Sequence, residues 1–269
     1  MSSSPPAKKQ KTSRIVLLPI AGSGGKLGKD CAATLEAFTA AHANVTILDR
    51  VQRTYNDDQK RVRGQRKQES KEDYAVVVTE FNDKRATEDA LYPKLLTGGN
   101  GATAKVVGHA MAHLLDACTS HPDADVYFYT SSFGGRVAVH TVLQRTENKK
   151  DPADPYKLLE GTVLDREGND TGECYPVTLP ANFKGVITSG YPLEGKGPLD
   201  RRDVLRRLKS EASDLKFLFL AGDKDTETPT LVQDLEEIFG EQTAGVTVVT
   251  VAGGGHNVWK KIGEEETER

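Results

Sequence analysis

The sequence predicts an α/β fold, with a mostly parallel sheet covered by helices on both faces. Three observations carry that expectation. Short β-prone runs alternate with segments of helical spacing along most of the chain, as in repeated β-α-β units. The first apolar run, Arg14-Ile-Val-Leu-Leu-Pro-Ile20, is continuous rather than alternating, the pattern of a strand buried on both sides. Near the middle, Val126-Tyr-Phe-Tyr-Thr-Ser-Ser-Phe-Gly-Gly-Arg-Val-Ala-Val-His140 passes from an aromatic strand through a tight turn directly into a helix rich in alanine and valine.

Taken in order, the strand at 14–20 is followed by a glycine-rich turn and then by apolar positions Leu27, Cys31, Leu35 and Phe38 at helical spacing, so a helix is expected over 27–42. Residues 44–48 return to β-rich composition and close the first β-α-β unit. Helices are expected at 106–118, 135–143, 199–208 and 231–239, and strands at 126–129, 185–188, 216–221 and 246–251. Two segments interrupt the alternation. Residues 50–75 hold Arg50, Arg53, Lys60, Arg61, Arg63, Arg66 and Lys67 among polar neighbours, and without interleaved aromatics to stack bases they read as a solvated loop or helix face. Residues 146–184 carry the turn-forming Asp165-Arg-Glu-Gly-Asn-Asp-Thr-Gly172 between two short β-prone stretches, which suggests an insertion with a small hairpin overhanging the site.

The expected boundaries are a disordered basic tail over 1–13, one domain over 14–262 with those two insertions, and a frayed acidic end over 263–269. A length of 269 residues with 37% hydrophobic and 28% charged content suits a single α/β domain with a sizeable core. The net charge of -3 supplies no general field for nucleic acid or anionic lipid, so neither is an expected partner. No apolar run approaches the roughly 18 to 20 residues of a membrane span, and the N-terminus lacks a secretory core. Cys31, Cys118 and Cys174 show no metal-ligand spacing and are read as reduced thiols, in keeping with a cytoplasmic or nuclear setting. Lys8-Lys9-Gln10-Lys11 fits a short nuclear-import signal, although a solvated tail is the plainer reading. No metal and no cofactor is expected.

The central turn is a nucleophile elbow. Its strand and helix cross so closely that positions two before and two after the nucleophile must be small. Thr130 and Gly134 meet that demand for Ser132, whereas Ser131 would be flanked by Tyr129 and Phe133. A serine hydroxyl needs a base, and the base needs an orienting acid. Downstream, the strand ending at Ala221 leads into Gly222-Asp223-Lys224-Asp225, and the strand ending at Val251 leads into Ala252-Gly-Gly-Gly-His256. Both groups would lie past the carboxyl ends of strands, where open α/β sheets build their sites. Asp225 is preferred because it lies far enough along its loop to reach back to a histidine, and Asp223 is read as capping the turn. His42, His109, His113, His121 and His140 lie in or beside helices and are read as structural or surface residues. Backbone N–H groups of Phe133 and Ser23 are the expected oxyanion donors. The loop holding Ser23 does not match a phosphate loop, since Leu27 follows Lys26, and its glycines miss the dinucleotide spacing at the third position.

Ser131-Ser-Phe-Gly-Gly-Arg-Val-Ala138, Ser189-Gly-Tyr-Pro-Leu193, Phe219-Leu-Ala-Gly-Asp-Lys-Asp225 and Gly254-Gly-His256 together resemble the α/β-hydrolase superfamily. More narrowly, they are similar to the dienelactone-hydrolase-like group that includes testis-expressed protein 30 and a related subunit of a nuclear histone-acetyltransferase complex. The resemblance covers about residues 14–262 and implies an α/β-hydrolase fold and, where the triad is intact, hydrolysis of an ester or related acyl bond. Two positions depart from the pattern: Thr130 stands where the elbow usually has glycine, and Ala21 where the oxyanion loop usually opens with histidine. The expected function is therefore a serine hydrolase acting on a small-molecule acyl substrate. The rival is a catalytically weak or inactive scaffold of the same fold that binds a protein partner in a nuclear assembly.

Overall fold

The computed structural model describes residues 14–20, 29–48, 70, 104–143, 162–164, 170–174, 179–193, 200–240 and 243–267. Six strands form one sheet: β1 (Arg14–Ile20), β2 (Val45–Ile47), β3 (Ala124–Ser131), β6 (Phe183–Ser189), β7 (Lys216–Gly222) and β8 (Val246–Val251). Their order is β2-β1-β3-β6-β7-β8, and every pair is parallel. Parallel neighbours require crossovers, and helices supply them. These are α1 (Lys29–Ala41), α2 (Ala104–Ser120), α3 (Phe133–Leu143), α4 (Arg201–Glu211) and α5 (Leu231–Phe239), and a last helix, α6 (Val258–Thr267), follows β8.

Alternation along each strand divides the core into two layers. One face of the sheet presents Val16, Leu18, Ile20, Val126, Phe128, Phe217 and Phe219 to the helix residues Met111, Leu114, Val137, Leu205 and Leu235. The opposite face presents Leu17, Tyr129, Leu220 and Val251 to Leu35 of α1 and to Val258 and Trp259 of α6. The sheet is thus covered on both faces, which is why β1 reads as an unbroken apolar run: Val16 to Ile20 are all buried.

The ends of several elements reach past their sequence-expected limits. Pairing with β1 and β6 carries β3 from Ala124 to Ser131, and pairing with β3 and β7 carries β6 to Ser189, because each added residue gains ladder hydrogen bonds. α3 begins at Phe133, immediately after the turn. The sequence reading placed no helix after β8 and took 263–269 as frayed, yet the backbone is helical through Thr267. In the second insertion, β4 (Thr162–Leu164) and β5 (Asp170–Cys174) pair antiparallel as the expected hairpin strands, and β4 runs alongside α2. The basic segment 50–75, apart from Ser70, and the tail with Lys8 to Lys11 lie outside the described residues.

Candidate active site

Ser132 sits between the last residue of β3 and the first of α3. Its φ is 52°, and it is the one non-glycine residue with positive φ among the described residues. That conformation is costly for a side chain carrying Cβ and persists where surrounding structure dictates it. Here the dictation is visible on both sides of the turn. Ser132 N–H donates to the Ser189 carbonyl at 2.8 Å, and the Ser132 carbonyl accepts from Gly135 N–H at 2.9 Å. Ser131 remains in the strand, paired with Ser189, so the strained position falls on Ser132 alone.

Thr130 fits this crossing without a glycine. It is fully buried, and its hydroxyl donates to the Ile187 carbonyl of β6 at 3.1 Å, so the polar atom brought by the branched side chain is satisfied. The demand for a small residue falls on Gly135 as well, where a Cβ would strike Thr188 Oγ1 and lie 3.2 Å from Tyr191 Cδ2.

Asp225 follows β7, and its side chain is almost sealed from solvent. Its Oδ1 accepts the N–H groups of Glu227 at 2.8 Å and Thr228 at 3.1 Å, while Oδ2 accepts the Thr228 hydroxyl at 2.5 Å. Burial by itself would raise its pKa. The hydrogen bonds from the Thr228 side chain, His256 and the Glu227 backbone, with the nearby His256 charge, overcome it and hold the carboxyl below its ordinary value.

His256 bridges the two. Its Nδ1 lies 2.9 Å from Asp225 Oδ2 and its Nε2 lies 3.0 Å from Ser132 Oγ. An imidazole that donates its Nδ1–H to the carboxylate presents the Nε2 lone pair to the hydroxyl. Both flanks of the histidine loop are anchored: Val251 closes β8, and Val258 and Trp259 open α6 in the core, with the Trp259 ring 4.9 Å from that of Tyr129. The loops after β7 and β8 are also tied together. Asp223 Oδ1 accepts Gly253 N–H at 2.7 Å and the Gly254 carbonyl accepts Lys224 N–H at 2.8 Å, an approach so close that a Cβ on Gly222 would collide with Gly254. The two aspartates therefore divide the work, Asp223 joining the loops and Asp225 meeting the imidazole.

Three further residues belong to the site and were not singled out from sequence. Gly190, with φ of 54°, leads the chain off β6 against the imidazole, where a Cβ would strike the His256 carbonyl and lie 3.2 Å from ring atoms Cε1 and Nδ1. The available signal was a glycine directly after a β-prone run. Thr228 holds the carboxylate, and only its place three residues beyond Asp225 hinted at that. Glu227 sets Oε2 3.6 Å from His256 Nε2. Of the expected oxyanion donors, Phe133 opens α3 and its N–H, in the first turn, lies outside the helix's own ladder. Ser23 and Ala21 lie outside the described residues. Among the described residues no cluster of histidine, cysteine and carboxylate groups is arranged to hold a metal ion, and no helix is long and apolar enough to cross a membrane.

No family model and no curated protein matches the chain. Among solved structures, it is similar to an uncharacterized protein from Bacillus cereus at 11% identity and a TM-score of 0.46, over 99% of this chain and 63% of that one. A dienelactone hydrolase from Anabaena variabilis aligns at 12% identity and a TM-score of 0.45, over 96% of this chain and 86% of that one. Acyl-protein thioesterase 2 from Zea mays aligns at 10% identity and a TM-score of 0.46, over 97% and 94%. The architecture is that of the α/β-hydrolase fold: a parallel sheet between helical layers, with the elbow between β3 and α3 at its carboxyl edge.

Proposed function

We propose that the protein is a serine hydrolase that cleaves an ester or related acyl bond, with Ser132 as nucleophile, His256 as general base and then acid, and Asp225 as the group that orients His256. The observation that carries this reading is the unbroken line of contacts from Ser132 Oγ to His256 Nε2 at 3.0 Å and from His256 Nδ1 to Asp225 Oδ2 at 2.9 Å. Ser132 Oγ attacks the acyl carbon as its proton passes to Nε2, and Nε2 returns that proton to the departing oxygen when the carbon–oxygen bond breaks. Water then attacks the acyl-serine by the same route and releases the acid. The Phe133 N–H, at the positive end of α3, suits the oxyanion, with Ser23 as the second donor.

The short serine to imidazole separation favours this reading over an inactive scaffold, whose triad would be splayed or blocked. The motifs at Ser189 to Leu193, Phe219 to Asp225 and Gly254 to His256 support placing the chain in the dienelactone-hydrolase-like group, acting on small-molecule acyl substrates without a cofactor in the cytoplasm or nucleus. The test is direct. A fluorophosphonate probe labels the wild type, and Ser132→Ala abolishes labelling together with turnover of a panel of short and long acyl esters. Labelling that survives in Ser132→Ala assigns the nucleophile elsewhere, and an unlabelled, inactive wild type returns the chain to the scaffold reading.

A further inference from the structure

Glu227 serves Asp225 only through its backbone N–H, donated at 2.8 Å, which closes the turn and fixes where the residue stands. Its carboxylate points elsewhere. It is 70% exposed, and Oε2 lies 3.6 Å from His256 Nε2, the ring nitrogen that is also 3.0 Å from Ser132 Oγ. Among the described residues no lysine or arginine is paired with it, so its charge is offered to whatever occupies the site.

The side of the site it occupies follows from the chemistry. In acyl transfer Nε2 passes its proton to the leaving-group atom, so the leaving group must lie beside Nε2, within reach of Glu227. The acyl carbonyl instead turns toward the N–H of Phe133 at the start of α3. Resting on the hydrolase reading above, we infer that Glu227 selects leaving groups that carry a cation near the scissile bond, such as an amino or quaternary ammonium alcohol, over neutral or anionic ones.

Two unit charges about 5 Å apart in a water-like dielectric attract enough to change a rate about fourfold, and salt screens part of that effect. The substrates for the test are matched esters of choline and of its uncharged carbon isostere, in which a tert-butyl group replaces trimethylammonium. Both carry whichever acyl chain the protein cleaves fastest. The ratio of kcat/KM for the charged over the uncharged ester is measured in wild type, Glu227→Gln and Glu227→Lys. Taking a ratio within each protein cancels general damage from the substitution. We expect the ratio to fall about fourfold in Glu227→Gln and further in Glu227→Lys, and to shrink with added salt in the wild type. An equal ratio in all three proteins, whatever their absolute rates, overturns this inference, and turnover and fluorophosphonate labelling of the wild type then leave the hydrolase reading standing. Absence of both turnover and labelling in the wild type brings down the two together.

Discussion

Helix α3 joins two regions that treat polar side chains in opposite ways. At the rim of the sheet, Ser132, His256 and Asp225 satisfy one another, and the imidazole keeps 18% of its side-chain surface exposed. Farther along the same helix, Arg136 and His140 are buried in the core, at 3% and 2% exposure. Burial first, and then the charges of Arg136, Arg207 and Arg201, push His140 down to about 3, so this histidine stays neutral inside the fold. The rim histidine has a carboxylate on one ring nitrogen and a hydroxyl on the other. A histidine's part is set by the groups packed round it: one bridges a carboxylate and a hydroxyl at the rim, the other is a neutral core residue.

Removing the rim carboxylate has the largest expected effect. Asp225→Asn keeps the shape but no longer fixes the imidazole tautomer, and we expect kcat on a cleavable ester to fall about 10⁴-fold. Asp223→Asn, which leaves Asp225 against the imidazole, should lose far less. Equal losses from the two would show that the loop geometry, rather than the carboxylate on Nδ1, is what matters.

The buried histidine acts on stability rather than on turnover. Because the folded pKa of His140 is depressed from 6.5 to about 3, the unfolded state binds the extra proton first, and its contribution to stability is present above 6.5 and is lost as pH falls towards 3. This one group accounts for at most about 1.4 kcal/mol per pH unit in that window. Denaturant unfolding of His140→Gln should therefore show a shallower loss of stability with acid than the wild type, and parallel curves would exclude His140 as the cause.

The smallest expected effect returns to the rim. Thr228→Val deletes the hydroxyl that Asp225 Oδ2 accepts, while both backbone donors to Oδ1 remain. A loss of about one hydrogen bond to a charged group, about 1.5 to 3 kcal/mol, should appear as roughly ten- to hundredfold lower kcat/KM. Restoration by Thr228→Ser would separate the hydroxyl from the methyl group.

Much of the architecture was legible in the chain. Each strand of the main sheet overlaps a β-prone run of the sequence, β1 most plainly, since a strand buried on both faces is continuously apolar. Ser132 was separable from Ser131 because the steric test involves only residues two positions away. Helix α6 was not read, because its acidic residues Glu264, Glu265 and Glu266 mask a short apolar stripe of Val258, Trp259 and Ile262, whose value lies in covering Tyr129 and Leu220 across the sheet. Gly190 and Glu227 were missed for the same kind of reason: their importance is a contact with His256, distant along the chain.

Periodicity and local sterics depend on near neighbours, so the alternation of strands and helices and the residue that takes the strained turn are legible in the chain alone. Loop position favoured Asp225 over Asp223, but that the imidazole, 124 positions from the serine, lies within hydrogen-bond reach of both Ser132 and Asp225 follows only from how the strands pack. Every strand pair is parallel, so the carboxyl ends of β3, β7 and β8 lie at one edge of the sheet, where the loops after β7 and β8 are bound to each other, and no local pattern contains that distance.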